Sequence, residues 1–290
     1  MNFKLLPDFL QIIKLLVPHN EYSERVEVFR ESVVSLNLPP LIPNWPDIFM
    51  ADLKGNEFSR YADIFNDLVD TIRINWKLKY HAKFYVRQKE ATEREIEYCR
   101  YADALHDQYA RLVVIRLDLH YKREYANNIT VHDAIRDLNR LYQNSRHNSI
   151  FKYRVGFIEK LEYGGNGKGI HIHAIYFFDG SKRNNPSHVY IAQQIGEYWV
   201  NTVTKGLGDY WNINDKAANY EKLGILGIGV INSQDTKLRH NLKQRVIAYL
   251  CKIDQFIRPR FGPGVKLICR GNFPKKSTIK RGRPRKCISD

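Results

Sequence analysis

Residues 153–178 read YRVGFIEKLEYGGNGKGIHIHAIYFF, and this stretch decides the fold of the chain. Two runs rich in apolar and aromatic residues flank the glycine-rich segment GGNGKG, residues 164–169. This pattern predicts a β-hairpin with strands over 153–163 and 170–178. Alternate side chains of a strand project from the same face, so His171 and His173 should share one face of the hairpin.

The predicted hairpin also brings a carboxylate to the two imidazoles. If the strands close symmetrically around the glycine turn, Glu162 lies opposite His171 on the same face, whereas a slip of one residue would send it to the other face. Asp118, on the preceding strand, is the alternative third ligand. Two imidazole nitrogens, one carboxylate oxygen and open water positions suit Mn²⁺ or Mg²⁺ engaged with a phosphate. The pattern therefore indicates a divalent-metal site, although two histidines on an apolar strand are also compatible with a purely structural role.

Further strands and helices are predicted around this hairpin. RLVVIRLDLHY, residues 111–121, alternates as a strand whose polar face carries Arg116, Asp118 and His120. Helices are predicted after three residues that can cap a helix N-terminus, namely Thr130, Ser187 and Asp235. A short, glycine-rich fourth strand is predicted over 222–232.

The predicted order is strand, helix, strand, strand, helix, strand, helix. Its first six elements match the split βαβ arrangement of an α+β, ferredoxin-like (RRM-like) fold with an antiparallel sheet. In this topology the third strand lies between the first and the second, so Asp118 should neighbour the histidine strand. We assign this predicted domain to residues 106–258.

The N-terminal third is predicted to be helical, with no role assigned to it. Apolar residues recur with helical spacing around 9–16 and 64–72, and the proline-rich segment 39–46 separates the two groups. The charged segment 77–105 is predicted to be a solvated helix, with a DNA-facing helix or a linker as alternatives. The helical region is assigned to residues 1–105.

Charge indicates an anionic partner. The 290 residues carry a formal net charge of +15, and 255–289 contain eleven basic residues and no acidic one. This segment is rich in proline and glycine, so residues 259–290 are predicted to form an arm that is extended or disordered when free. KRGRPRK resembles an AT-hook, which predicts duplex DNA contacts from the following residues: Lys280, Arg281, Gly282, Arg283, Pro284, Arg285 and Lys286. The alternatives are a generic polybasic tail or a nuclear localisation signal.

Other features exclude several classes of protein. An apolar run of about 18 residues is absent, which argues against a membrane span and favours a cytoplasmic protein. Four cysteines stand far apart without CxxC spacing, so we expect reduced thiols rather than a zinc site or a disulfide framework.

The predicted third helix contains a candidate nucleophile. In YLCK, Tyr249 and Lys252 are three residues apart and should share one helical face. The alternative is that Tyr249 is a core aromatic residue and Lys252 a surface charge.

An HIH strand preceded by Glu162 and a glycine turn, and followed about 75 residues later by YLCK, resembles the HUH endonucleases. More narrowly, VIRLDLHY, FIEKLEYGGNGKGIHIHAIYFFDGS, QIGEYWVNTVTKG, GIGVIN and AYLCKIDQF look like the prophage YagK/YfjJ C-terminal domain family, which is also found as inovirus replication-protein-like sequences. The resemblance covers roughly residues 105–260.

This resemblance implies site-specific nicking and joining of single-stranded DNA, which would initiate rolling-circle replication of a phage, prophage or plasmid in a bacterial cytoplasm. It implies His171, His173 and Glu162 as metal ligands, Tyr249 as nucleophile and Lys252 as its helper. Positions 245 and 253 are Arg and Ile, so the enzyme would have a single tyrosine. The expected partners are single-stranded or hairpin origin DNA and a host replication helicase.

Two other functions remain open at the level of sequence. A non-catalytic DNA-binding regulator would use the same fold and basic arm. An RNA-binding protein of similar fold is disfavoured because the two central strands lack clustered exposed aromatics. Core packing is expected for Tyr163, Tyr176 and Trp199, with stacking on bases as the alternative.

Overall fold

The computed structural model describes residues 21–38, 49–51, 58–164, 169–183, 187–253, 257–258 and 267–275. The chain divides into two compact units, of which the first comprises 1–94, 162–169 and 252–265 and the second comprises 95–161, 170–251 and 266–290. Residues 162–169, at the end of the predicted hairpin, belong to the first unit. The hairpin strands that contain residues 162–164 and 169 are nevertheless continuous with residues of the second unit.

The described strands are β1 Glu21–Tyr22, β2 Phe49–Ala51, β3 Phe58–Arg60, β4 Arg111–Tyr121, β5 Arg154–Gly164, β6 Gly169–Asp179, β7 Gly208–Asn212, β8 Gly229–Asn232, β9 Ile257–Arg258 and β10 Ile268–Arg270. The described α-helices are α1 Glu24–Ser35, α2 Tyr61–Asn75, α3 His81–Gln108, α4 Arg123–Ala126, α5 Val131–Asn144, α6 His188–Tyr198, α7 Ala217–Lys222, α8 Thr236–Asn241 and α9 Ala248–Cys251. Three π-helical segments, Trp76–Tyr80, Trp199–Val203 and Leu242–Ile247, directly follow α2, α6 and α8.

The described part of the first unit is mainly helical, as predicted for this part of the chain. Val33 of α1 packs with Phe65 and Leu68 of α2 in a small apolar cluster. A largely buried ion pair joins Glu24 to Arg87 at 2.5 Å. The apolar group around 9–16 and the proline-rich segment 39–46 lie outside the described residues.

The second unit contains an antiparallel six-stranded sheet and is therefore α+β, as predicted. The strand order is β10, β5, β6, β4, β7, and β8 also pairs with β4. Strand β6 thus lies between β4 and β5, as expected from the order of elements. Strands β7 and β8 occupy the same edge of β4, with β7 paired to residues 117–121 and β8 to residues 111–114.

The helix starts agree with the sequence analysis. Thr130 and Asp133 form a reciprocal capping box at the start of α5, and Ser187 accepts a hydrogen bond from the backbone N–H of Tyr190 in α6. Asp235 directly precedes α8 as predicted, but its side chain makes no capping hydrogen bond to that helix and accepts instead from the backbone N–H of Asn232. The Thr130 and Ser187 contacts satisfy helix N–H donors that would otherwise lack partners.

Three predictions about the elements were wrong. The fourth strand covers only Gly229–Asn232 rather than 222–232, and the preceding strand β7 was not predicted. The predicted arm contributes β10, which pairs with Ile158–Lys160 at the edge of the sheet. The charged segment 77–105 is helical, but its last turns are not solvated, because Tyr101 and Leu105 are fully buried in the core of the second unit.

One face of the sheet changes character along its strands. At one end, Leu112 and Val114 of β4 and Ile175 and Phe177 of β6 are buried. Apolar residues that follow α8 pack in the same cluster, namely Leu242, Val246, Ile247, Leu250 and Cys251. Further along the same face the residues become polar, and this polar half contains the candidate site described below. Within the described part of the chain, no helix is both long and apolar enough to span a bilayer.

Asn214 bridges the gap between β7 and β8 along β4. Its side chain is fully buried, accepts from the backbone N–H of Arg116 and donates to the backbone carbonyl of Val114. The amide therefore replaces the backbone partners that neither edge strand supplies at this point.

We expect Asn214→Ala to lower the free energy of unfolding by about 1–3 kcal/mol for each of the two buried groups left unpaired. Urea denaturation of the full chain measures this change. Asn201→Ala, an exposed asparagine, is the control and should shift stability by less than about 0.5 kcal/mol. Equal stabilities of the two variants would contradict the bridging role.

Asp103 joins α3 to the helical segment that follows β8. Its carboxylate accepts from Arg239 at 2.8 Å and from Lys243 at 3.0 Å. Burial alone would raise the pKa of Asp103, but the two hydrogen-bonded cations outweigh this effect and lower it.

A folded-state pKa below the unfolded value stabilises the protein above the unfolded pKa of about 3.9. Asp103→Asn should therefore cost about 1 kcal/mol at pH 7, and the difference from the parent should vanish as pH falls through the lowered folded pKa. Denaturation midpoints between pH 7 and pH 3 test this, with the exposed Asp215→Asn as control. A deficit that grows with acidity would contradict the assignment.

Candidate metal and tyrosine site

The polar half of the sheet face is formed by neighbouring strands. On β4, Arg116, Asp118 and His120 follow Val114 on the same face, and on β6 His171 and His173 precede Ile175. The register of the two strands pairs Asp118 directly with His173. A carboxylate and an imidazole are therefore brought together by backbone pairing alone.

Asp118 holds His173 in one orientation. Its Oδ1 lies 2.5 Å from Nδ1 of His173, whose side chain is only 6% exposed. Burial opposes ionisation of Asp118, but the hydrogen bond with His173 and the nearby Arg116 and His171 lower the pKa of its carboxyl group.

An ionised Asp118 accepts a hydrogen bond, so Nδ1 of His173 is the protonated nitrogen. The lone pair of the imidazole then resides on Nε2, which is the form of histidine that binds a metal. A carboxylate behind a ligating imidazole also raises the basicity of the ligand. The structure thus places Asp118 as the hydrogen-bond partner of one predicted ligand.

The two histidines and Glu162 form a group with suitable ligand atoms. The ligand atoms of Glu162, His171 and His173 all lie within 4.8 Å of one another. The rings of the two histidines are perpendicular, with centroids 4.8 Å apart. Two imidazole nitrogens and one carboxylate oxygen are ligand atoms that could together hold a metal ion.

Tyr249 lies beside this group. It belongs to α9, which follows the π-helical segment and packs through Leu250 on the apolar half of the sheet face. The ring of Tyr249 is perpendicular to that of His173, with centroids 5.7 Å apart, and the residue is 44% exposed. A partly exposed tyrosine ring thus lies next to the metal-ligand group, and Tyr249 is not the core residue of the alternative interpretation.

Arg116 is a site residue that the sequence analysis did not identify as functional. Its guanidinium carbon lies 4.9 Å from the centroid of the Tyr249 ring, an arrangement that gives a cation–π interaction. Its Nε is buried and has no hydrogen-bond acceptor among the described residues. The only signal in the sequence was the position of Arg116 two residues before Asp118, on the same face of a strand.

The other predicted residues have mixed outcomes. Lys252 is exposed and directly follows the last residue of α9. Tyr176 and Trp199 are fully buried, which confirms the core packing expected for them, whereas Tyr163 is partly exposed. The AT-hook-like residues 280–286 lie outside the described residues.

The comparisons with known proteins give no match. No protein-family model, curated protein or solved structure matches this chain.

Asp118→Asn should weaken Mn²⁺ binding by roughly 10- to 100-fold, because a neutral amide, which can donate as well as accept, no longer enforces one tautomer of His173 or raises its basicity. His173→Ala should abolish binding at this site. Isothermal titration of the full chain with MnCl₂ measures both effects. Asp209→Asn is the matched control, since this exposed carboxylate lies on the same sheet face but interacts with His120. Parental affinity in His173→Ala would refute the metal assignment.

Proposed function

We propose that the protein nicks and rejoins single-stranded DNA through a covalent bond to Tyr249. The observation that carries this proposal is the position of the Tyr249 ring, 5.7 Å from a histidine of the Glu162–His171–His173 group. A nucleophile beside a phosphate-binding ion is the arrangement that phosphoryl transfer to tyrosine requires. The proposal agrees with the resemblance of this sequence to the HUH endonucleases.

We also propose that the α+β domain is ferredoxin-like, and the strand order supports this. Strand β6 lies between β4 and β5, and β8 pairs with the outer side of β4. This order is the one expected for a split βαβ unit, to which β7 and β10 are additions at the edges.

The residues have separate roles in this reaction. Glu162, His171 and His173 would hold the ion, which supplies Lewis-acid polarisation of the scissile phosphate when bound. The phenol of Tyr249 loses its proton and its oxygen forms a bond to phosphorus. The bond from phosphorus to the 3′ oxygen breaks, and this oxygen takes up a proton. A 5′-phosphotyrosine and a free 3′-hydroxyl result, so the bond can be remade by the reverse reaction.

Arg116 is proposed to act with Tyr249. Its guanidinium lies over the ring and its buried Nε is a donor that a phosphate oxygen could satisfy. Arg116 would thereby fix the direction of the ring and offset charge that develops on the phosphate. Lys252 remains the proposed second cation.

The partners follow from this activity. Single-stranded or hairpin origin DNA is the proposed substrate, and the formal charge of +15 favours its association. Contact of the basic segment 280–286 with duplex DNA, recruitment of a host replication helicase and a bacterial cytoplasmic location are part of the same proposal. The free 3′-hydroxyl would prime rolling-circle replication.

The parent protein should form a covalent adduct with fluorescent single-stranded origin DNA in the presence of Mn²⁺, whereas Tyr249→Phe should form none because it lacks the hydroxyl. Denaturing gel electrophoresis detects the adduct. Tyr190→Phe, which removes the hydroxyl of another exposed tyrosine, on α6, should retain the adduct. Arg116→Gln should reduce the rate of adduct formation by 100-fold or more, of the order found when one charge-stabilising donor is removed.

Two outcomes would contradict the proposal in different ways. An adduct that persists in Tyr249→Phe would move the nucleophile to another residue. Absence of an adduct with any origin-region DNA, combined with tight DNA binding, would favour the non-catalytic regulator.

A further inference from the structure

Trp211 is exposed at the edge of the sheet beside the candidate site. It lies on β7, and 58% of the residue is accessible to solvent. Such exposure is unusual for a tryptophan, which is mostly buried in folded proteins. It belongs to none of the residues assigned a role above.

The register of the sheet fixes the face on which Trp211 lies. Strand β7 pairs Trp211 directly with Asp118, which in turn pairs with His173 on β6. Residues that face each other across antiparallel strands project from the same side, so the indole shares the face of Asp118 and His173. Neighbouring strands are about 4.8 Å apart, which places the backbone of Trp211 roughly 10 Å from that of His173.

Tyr210, the residue before Trp211 on β7, fixes the orientation of the strand. Tyr210 packs on Gly196 of α6 so closely that a Cβ at position 196 would lie 2.2 Å from the Tyr210 ring. Helix α6 thus covers the opposite face of β7. Because side chains alternate along a strand, Trp211 is held on the open face by the packing of Tyr210.

We propose that Trp211 is the stacking surface for an unpaired DNA base next to the phosphate held at the candidate site. This inference rests on the proposed function and names the feature of the substrate that the site recognises. An indole offers an apolar face on which any base can stack, and Trp211 is two strands from His173 on the same sheet face. Duplex DNA would be excluded from this contact, because its bases are already stacked and paired.

Arg116 adds a positive charge beside Trp211 that complements the phosphate of a bound nucleotide. It lies on β4, two residues from Asp118 and on the same face, with its guanidinium over Tyr249. A nucleotide with its base on Trp211 would direct its phosphate toward Arg116 and the histidine group. Base and phosphate thus meet groups of matching chemistry on adjacent strands.

Binding of a fluorescein-labelled dT₂₀ oligonucleotide to the full chain tests this inference. All variants carry Tyr249→Phe so that no covalent product forms. Trp211→Leu should weaken binding roughly 5- to 150-fold, whereas Trp211→Phe should retain most of the affinity because it keeps an aromatic face. Tyr190→Leu, which removes an exposed aromatic residue from α6, should bind as tightly as the parent.

Tryptophan fluorescence gives a second readout that a purely structural role would not produce. Addition of unlabelled dT₂₀ should quench the emission of the parent, and Trp211→Phe should lose this quenching while still binding. Equal affinities of Trp211→Leu and the parent, or unchanged quenching in Trp211→Phe, would overturn the inference. Tighter binding of rU₂₀ than of dT₂₀ would also overturn it and assign the surface to RNA.

The two proposals can fail separately. If Trp211→Leu loses dT₂₀ binding but the parent forms no covalent adduct, the single-strand binding surface is supported and the proposed nicking activity is contradicted. If the parent forms an adduct and Trp211→Leu binds dT₂₀ undiminished, the nicking activity is supported and the stacking role of Trp211 is contradicted.

Discussion

The pairing of β4 with β6 is the constraint on which the site depends. Its register sets Asp118 opposite His173, and the resulting hydrogen bond fixes the nitrogen that the imidazole presents. A shift of one residue would exchange the two faces of β4, remove Arg116 and Asp118 from the site and bring apolar residues into it. The backbone ladder therefore determines the chemistry of the face as well as its stability.

The same sheet face supplies both a core and a site. Its apolar half is covered by the segment that follows α8, and the burial of Leu250 and Ile247 holds that segment in place. Tyr249 lies where the apolar half gives way to the polar half, so the packing that stabilises the second unit also positions the proposed nucleophile. This arrangement explains how a partly exposed residue can have a defined position beside His173.

Sequence alone predicted the central strands, the helices that begin at Thr130 and Ser187, and the convergence of Glu162 with the histidines. These features were predictable because strand alternation and helix capping are encoded within a few residues. Strand β7 was not predicted, because its five residues carry too short a pattern and its partner strand β4 is distant in sequence. Trp211 was missed for the same reason.

Arg116 was recognised only as a polar residue, since its contact with Tyr249 joins positions 133 residues apart. The π-helical segment Leu242–Ile247 is a further limit on prediction. Its hydrogen bonds span one residue more than those of an α-helix, so the direction of later side chains departs from a spacing of 3.6 residues.

A crystal structure of the full chain soaked with MnCl₂, with anomalous data collected near the manganese edge, tests the central claim most directly. The account predicts an anomalous peak in contact with Glu162, His171 and His173, with Asp118 still hydrogen-bonded to Nδ1 of His173. A fully occupied peak elsewhere, with none between these three side chains, would contradict it.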